Sequence, residues 1–217
     1  MTTRTERVEI EGVSLLATLT LGGDLGLLAL HGSNEGGTAE LARSVADRCA
    51  ATSLVFTQPG VRRPVHIPSP RMAVRHCALL RDFLAHVELV VSLHGHMRPA
   101  APRAIFLGGG NRTAARLLAD GLGALRPEFE AVTDLDEIPV ALRGLHARNP
   151  VNLARRGGVQ VELPLPARTS GRGWVPGVPD IPPPSVADAL AKGVELLATL
   201  PGDGPASGPM SGPTPGR

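Results

Sequence analysis

The chain has 217 residues, a net charge of +2 at pH 7 and 42% hydrophobic residues, a composition typical of a globular protein. The small net charge and the 2% aromatic content argue against a nucleic-acid-binding surface. No apolar run approaches the ~20 residues of a membrane-spanning helix. The polar start of the chain, Met1–Arg7, lacks a signal peptide pattern and favours a cytoplasmic location.

The predicted secondary structure alternates between strands and helices. Short apolar runs predict strands over Val8–Ile10, Val13–Leu21, Leu25–Leu30, Ser53–Phe56, Glu88–Leu93, Arg103–Leu107, Phe129–Val132 and Val159–Leu163. Helical spacing of apolar residues predicts helices from Thr38 past Cys49, over Arg71–His86, from Asn111 to about Leu125, and from Ser185 to about Leu200. Segment Pro59–Pro70 is predicted to be a loop, and Ile138–Asn152 has a mixed pattern.

This alternation is typical of an α/β fold, and we expect a single three-layer domain with a mostly parallel mixed sheet. Residues 1–200 are predicted to form this domain. Residues 201–217 are rich in Pro and Gly and are predicted to be a disordered tail. Both cysteines, Cys49 and Cys77, lie in helical patterns and are predicted to be unpaired, buried residues.

Polar residues follow three of the predicted buried strands. His31 and Glu35 come after Leu25–Leu30, His94 ends the run Glu88–Leu93, and Glu162 lies near the end of Val159–Leu163. Sites in open α/β sheets form at the carboxyl ends of strands, so we expect these side chains to meet. Two His and one carboxylate are ligands of catalytic zinc, and a further carboxylate beside a bound water is a general base.

The other histidines leave alternatives open. His96 lies two residues beyond His94 and would face the same side if the strand continued, so it is a second candidate ligand. Because Gly95 makes continuation of the strand doubtful, His94 is favoured. His66 lies in the Pro-rich loop, from which it could reach a substrate, although the absence of a specific role is the favoured interpretation. The remaining three, His76, His86 and His146, are interpreted as structural or surface residues.

Four segments resemble the poly-γ-glutamate hydrolase family: HGSNEGGTAELA from His31, VVSLHGH from Val90, FLGGGNR from Phe106, and RNPVNLARRGGVQVELPLPAR from Arg148. Their order and approximate spacing agree with the family pattern from about His31 to Arg168. The last segment is the most specific of the four. The family includes phage enzymes and uncharacterised bacterial relatives, and it is similar in fold and site to carboxypeptidase A-type metallopeptidases.

The resemblance implies a carboxypeptidase A-like fold, zinc as the cofactor, and His31, Glu35 and His94 as its ligands, with Glu162 as general base. The implied reaction is hydrolysis of amide bonds in an acidic peptide or γ-glutamyl substrate. Because Arg binds carboxylates through two parallel hydrogen bonds, the substrate-binding candidates lie in the matched motifs: Asn111, Arg112, Asn152, Arg155, Arg156 and Arg168.

The sequence departs from the family pattern at two points. Glu35 follows His31 by four residues, whereas the family usually has five and the related peptidases three. The chain also has no Tyr, so no phenol takes part as it does in carboxypeptidase A-type enzymes.

The sequence leaves two alternative functions open. The first is a zinc amidohydrolase that acts on small N-acyl amino acids, because fold and metal site do not determine the substrate. The second is a non-catalytic module that binds acidic peptides, which the shortened His31–Glu35 spacing favours and the presence of Glu162 and His94 opposes.

Overall fold

The computed structural model describes residues 2–72, 74–169 and 180–201. These residues form eight strands: β1 (Thr3–Ile10), β2 (Val13–Thr20), β3 (Leu25–Ala29), β4 (Thr52–Thr57), β5 (Leu89–His96), β6 (Ala104–Leu107), β7 (Glu130–Val132) and β8 (Gly158–Pro164). The α-helices are α1 (Thr38–Cys49), α2 (Ala78–His86), α3 (Arg112–Leu122), α4 (Leu165–Arg168) and α5 (Pro184–Leu197). Residues 202–217 of the predicted tail lie outside the described part.

The strands form one mixed sheet in the order β1-β2-β4-β3-β5-β8-β6-β7. The four central strands, β4, β3, β5 and β8, are parallel. At one edge β1 and β2 form an antiparallel hairpin, and at the other β6 runs antiparallel to β8 and parallel to β7. The predicted α/β fold with a mostly parallel mixed sheet is confirmed.

Helices cover both faces of this sheet, which gives three layers. Alternate residues of β3 point to opposite faces, so that Leu27 and Ala29 pack with α1, α3 and α5. Leu28 packs with α2 in a second apolar cluster on the opposite face. The central strands are therefore buried on both sides, which explains why they are continuous apolar runs in the sequence.

Helix α2 is shorter than the predicted helix over Arg71–His86. It begins at Ala78, where the Glu6 carboxylate accepts hydrogen bonds from the N–H groups of Ala78 (3.1 Å) and Leu79 (2.8 Å). Short 3-10 turns at Ser69–Arg71 and Val74–His76 occupy the segment before it. The cap comes from a strand more than 70 residues away, so local periodicity does not reveal this boundary.

The helix starts at α1 and α5 also differ slightly from the predictions. Gly37 rather than Thr38 is the N-cap of α1, and α5 begins at Pro184, one residue before Ser185. The cysteines are free as predicted, with Cys77 buried and Cys49 partly exposed. In the described ranges, no helix combines the length and the apolar character needed to cross a membrane.

Candidate metal centre and active site

The turn after β3 brings His31 and Glu35 to the same side of the chain. The N–H groups of Asn34 (3.0 Å) and Glu35 (2.8 Å) both donate to the carbonyl of His31, which makes a single helical turn. Residues four apart on such a turn are neighbours in space. Glu35 Oε1 accordingly lies 3.0 Å from His31 Nδ1, so the four-residue spacing is compatible with a shared ligand site.

The parallel pairing of β5 and β8 places His94 beside Glu162, because these two residues are register partners. Their neighbours Leu93 and Val161 belong to the core on the other face, so both polar side chains point away from that core. Strand β5 continues through Gly95 to His96, contrary to the expectation that Gly95 interrupts it. A Cβ at Gly95 would lie 2.4 Å from Arg168 Nε, which explains the need for a small residue there.

Donor atoms of three residues converge at this edge of the sheet. His31 Nδ1 is 3.1 Å from His94 Nδ1 and 3.0 Å from Glu35 Oε1, and His94 Nδ1 is 3.4 Å from Glu35 Oε2. His66 contributes a second, overlapping group, since single ligand atoms of His31, Glu35 and His66 all lie within 4.8 Å of one another. His31 and Glu35 are common to both groups.

The hydrogen-bond partners of the two Nε2 atoms favour metal binding through Nδ1 of each ring. His31 Nε2 donates to the carbonyl of Ile67 (2.8 Å), which leaves Nδ1 of a neutral ring with its lone pair free. His94 Nε2 lies 3.0 Å from Ser92 Oγ, a hydroxyl that can hold this ring in the same way. Two oriented imidazoles and a carboxylate are the donors that zinc prefers, so the residues present fit a zinc ion.

Glu35 and His94 each shift the pKa of the other towards its charged form. Burial alone raises the pKa of Glu35, but the neighbouring His31 and His94 rings outweigh it and hold that pKa well below its usual range. Burial lowers the pKa of His94, and Glu35 more than offsets this, so the net shift is upward. The Glu35 carboxylate also accepts a hydrogen bond from the Gly95 N–H (3.0 Å), and it is therefore ionised and oriented.

Glu162 differs from Glu35 because it keeps a proton more readily. Burial, reinforced by the charge of Glu35, raises the pKa of Glu162 to about 7. Its Oε1 accepts a hydrogen bond from Gln160 Nε2 (2.8 Å), and Gln160 Oε1 accepts one from Asn149 Nδ2 (2.8 Å). This buried chain fixes the orientation of the carboxyl group.

A cavity of about 340 Å³ opens onto these residues. Segment 140–149 forms one wall of it, and His66, Pro68 and Pro70 lie on the opposite side. Gly144 has a φ of +66° and packs so closely on Gln160 that a Cβ would lie 2.6 Å from Oε1. The wall is thus held against the residue that orients Glu162.

The structure brings none of the six predicted substrate-binding residues to the lining of this cavity. Asn111 caps α3 by accepting from the Ala114 N–H, and Arg112 donates to the carbonyls of Leu107, Gly109 and Thr133. Arg155 forms an ion pair with Glu88 at the amino end of β5 (2.8 Å), and the Arg156 N–H donates to the carbonyl of Glu88. These four lie at the opposite edge of the sheet.

Asn152 and Arg168 are closer to the site, but their side chains contact the backbone that supports it. Asn152 Nδ2 donates to the carbonyls of Gly144 (2.7 Å) and His146 (3.2 Å), so it supports the cavity wall. Arg168 is 2% exposed and donates to the carbonyl of Gly36 (2.7 Å) beneath the His31–Glu35 turn. Substrate binding by all six residues stays a prediction that their placement does not favour.

The side chain of His96, the alternative ligand, lies in a different pocket. Its Nε2 donates to the carbonyl of Ala104 (2.8 Å), its ring packs on Phe106, and it lines a separate apolar pocket. The structure therefore favours His94 over His96 as the residue that faces Glu35.

Sequence reasoning missed three residues of the site: His66, Gln160 and Asn149. Gln160 could have been found, because it lies two residues before Glu162 on the same strand face. The loop with His66 follows β4, which ends at the same edge as β3, so the strand-end rule applied to β3 and β5 also reaches this loop. No comparable signal points to Asn149.

The comparisons with known proteins identify the family and the fold. A family model described as poly-gamma-glutamate hydrolase matches residues 9–170. Among solved structures, zinc-free apo YNDL is 23% identical with a TM-score of 0.66, and the match covers 84% of this chain and 90% of that one. No match was found among curated proteins.

Two further solved structures share the fold. A bacteriophage poly-gamma-glutamate hydrolase is 19% identical with a TM-score of 0.67, over 88% of this chain and 91% of that one. Carboxypeptidase A from Helicoverpa armigera is 11% identical with a TM-score of 0.52, over 91% of this chain and 67% of that one. With three quarters of its length matched by the family model, the chain belongs to the poly-γ-glutamate hydrolase family and has a carboxypeptidase A-like hydrolase fold.

Proposed function

We propose that this chain is a zinc-dependent hydrolase of amide bonds in glutamate-containing substrates, with the γ-glutamyl linkages of poly-γ-glutamate as the foremost candidate. The observation that carries the proposal is the meeting of His31, Glu35 and His94 at one point beside Glu162. Membership of the family and the carboxypeptidase A-like fold support the reaction class.

In this proposal His31, Glu35 and His94 hold the metal ion. When bound, zinc supplies a Lewis acid and lowers the pKa of a coordinated water towards ~7. The carbonyl of Ile67 and the hydroxyl of Ser92 keep the two imidazole rings turned so that both Nδ1 atoms face inward. The orientation of the ligands is thus prepared before substrate arrives.

Glu162 is the proposed general base. Gln160 occupies Oε1, so Oε2 is the oxygen assigned to proton transfer. Glu162 takes a proton from the attacking water as the C–O bond forms at the amide carbon. It then gives that proton to the leaving nitrogen as the C–N bond breaks.

The first test is metal content and turnover of purified protein. We expect wild type to hold stoichiometric zinc and to cleave poly-γ-glutamate, His94→Ala to lose most of the zinc, and the exposed His76→Ala to match wild type. Glu162→Gln keeps its zinc and loses 10²–10⁴-fold in kcat, the usual contribution of a general base. Equal, near-zero metal in wild type and His94→Ala would contradict the proposal.

The substrate is tested separately by competition between poly-γ-glutamate and small N-acyl amino acids. Preferential cleavage of the polymer supports the proposed substrate class. Preference for the small amides shows an amidohydrolase of N-acyl amino acids, and acidic peptide binding without turnover of either substrate shows a binding module.

A further inference from the structure

His66 lies in a loop whose backbone is fixed on both sides. The buried Gln58 side chain accepts from the Val65 N–H (2.9 Å) and donates to the Val65 carbonyl (2.7 Å). On the other side, the carbonyl of the buried Ile67 accepts from His31 Nε2 (2.8 Å). His66 is therefore held next to the candidate metal centre by contacts to residues on either side of it.

The His66 ring faces that centre. It packs on the His31 ring with 4.2 Å between centroids, and its Nε2 is 3.7 Å from Glu35 Oε1. One ligand atom from each of His31, Glu35 and His66 fits within 4.8 Å of the others. A half-exposed imidazole is thus a fourth donor group beside two buried imidazoles and the partly buried Glu35 carboxylate.

The separations of these atoms are close to those of a tetrahedral site. Donor atoms bound at about 2.0–2.2 Å to one tetrahedral zinc are separated by about 3.3–3.6 Å. Nδ1 of His31 is 3.0 Å from Glu35 Oε1 and 3.1 Å from His94 Nδ1, and His94 Nδ1 is 3.4 Å from Glu35 Oε2. The Nε2 atom of His66 is 3.7 Å from Glu35 Oε1, slightly farther than the spacing of two bound ligands.

We propose that His66 is a fourth metal ligand that closes the coordination shell until substrate enters. The inference rests on the metal site of the proposed function. Catalytic zinc sites usually keep the fourth position for water, whereas four protein ligands make a closed site. Since 51% of the His66 side chain is exposed, the ring can swing out into the cavity and leave this position to water and substrate.

The decisive measurement is zinc K-edge X-ray absorption on the zinc-loaded full chain, which counts imidazole ligands. We expect three imidazoles in wild type and two in His66→Ala. Zinc affinity, measured by competition with a chelator, falls by about tenfold or more in His66→Ala. The matched control is His146→Ala, which removes another imidazole of the cavity lining and leaves both measurements unchanged.

Two results overturn the inference. One is an unchanged absorption spectrum and zinc affinity in His66→Ala, whether or not turnover falls; a fall in turnover alone would show that His66 contacts the substrate instead. The other is a count of only two imidazoles in wild type, together with loss of zinc in His94→Ala. That result would rule out His66 as a ligand and leave the proposed function standing. Failure of the proposed function differs from both, because wild type would then hold no zinc.

Discussion

The two ends of strands β5 and β8 both carry polar residues, in opposite environments. At the carboxyl end His94 and Glu162 are register partners, with 3% and 4% of each residue exposed. At the amino end Glu88 and Arg155 form an ion pair in which 27% and 74% of the side chains are exposed. Burial of the first pair requires dense hydrogen bonding, whereas water solvates the second.

This contrast predicts which residues affect activity and which affect only stability. Charges removed from water interact strongly and change each other's pKa, as Glu35, His94 and Glu162 do. Exposed ion pairs contribute little, even where their distances are short. Variants at the carboxyl end should therefore change activity, and those at the opposite edge should change stability or nothing.

Among variants that leave Glu162 and the candidate ligands in place, the largest effect is expected for Gln160→Met, which keeps the side-chain volume but removes the link between Asn149 and Glu162. With Glu162 no longer held in one orientation, kcat should fall by about 10–100-fold, while KM and zinc content stay at the wild-type level. Steady-state kinetics and metal analysis check this. Asn149→Ala keeps the Gln160–Glu162 bond and should lose less, and a wild-type kcat in Gln160→Met would refute the positioning role.

A smaller effect, on stability alone, is expected for Arg112→Met. Its guanidinium donates to three backbone carbonyls at the end of β6 and β7, and hydrogen bonds from charged groups each contribute about 1.5–3 kcal/mol. Because water replaces part of them, we expect the free energy of unfolding to fall by about 2 kcal/mol in denaturant titrations, with kcat/KM unchanged.

The control for this variant is Arg116→Met, one turn further along α3 and exposed, which should leave both quantities unchanged. The opposite result for Arg112→Met, a tenfold rise in KM with unaltered stability, would restore the substrate-binding role that the sequence motif suggests.

The meeting of the candidate ligands was predictable because it depends on local pattern and a general rule of sheets. Apolar runs ending at His31, His94 and Glu162 indicated buried strands, and parallel strands bring their carboxyl ends to one edge. The turn that joins His31 to Glu35 is also local. Their convergence in space follows from the order of the central strands alone.

The arginines could not be placed in this way, because the pattern of a short apolar run does not reveal its direction in the sheet. Strand β6 runs antiparallel to β8, so the segment with Asn111 and Arg112 emerges at the opposite edge. His66 was missed for a different reason. The strand-end rule reaches its loop, but the contacts that hold the loop at the site, of Gln58 with Val65 and of Ile67 with His31, are not encoded by periodicity.

The smallest effect is expected for Arg155→Ala, which removes the exposed ion pair with Glu88. Exposed pairs contribute about 0–1 kcal/mol, so we expect a change of under about 0.5 kcal/mol in the free energy of unfolding and a KM within about twofold of wild type. Glu88→Ala should match it, because each variant removes the same contact. Arg155 lies within the most specific of the family segments. A tenfold rise in KM for poly-γ-glutamate in Arg155→Ala but not in Glu88→Ala would therefore show that substrate extends around the sheet to its amino edge, and the division between the two ends would fail.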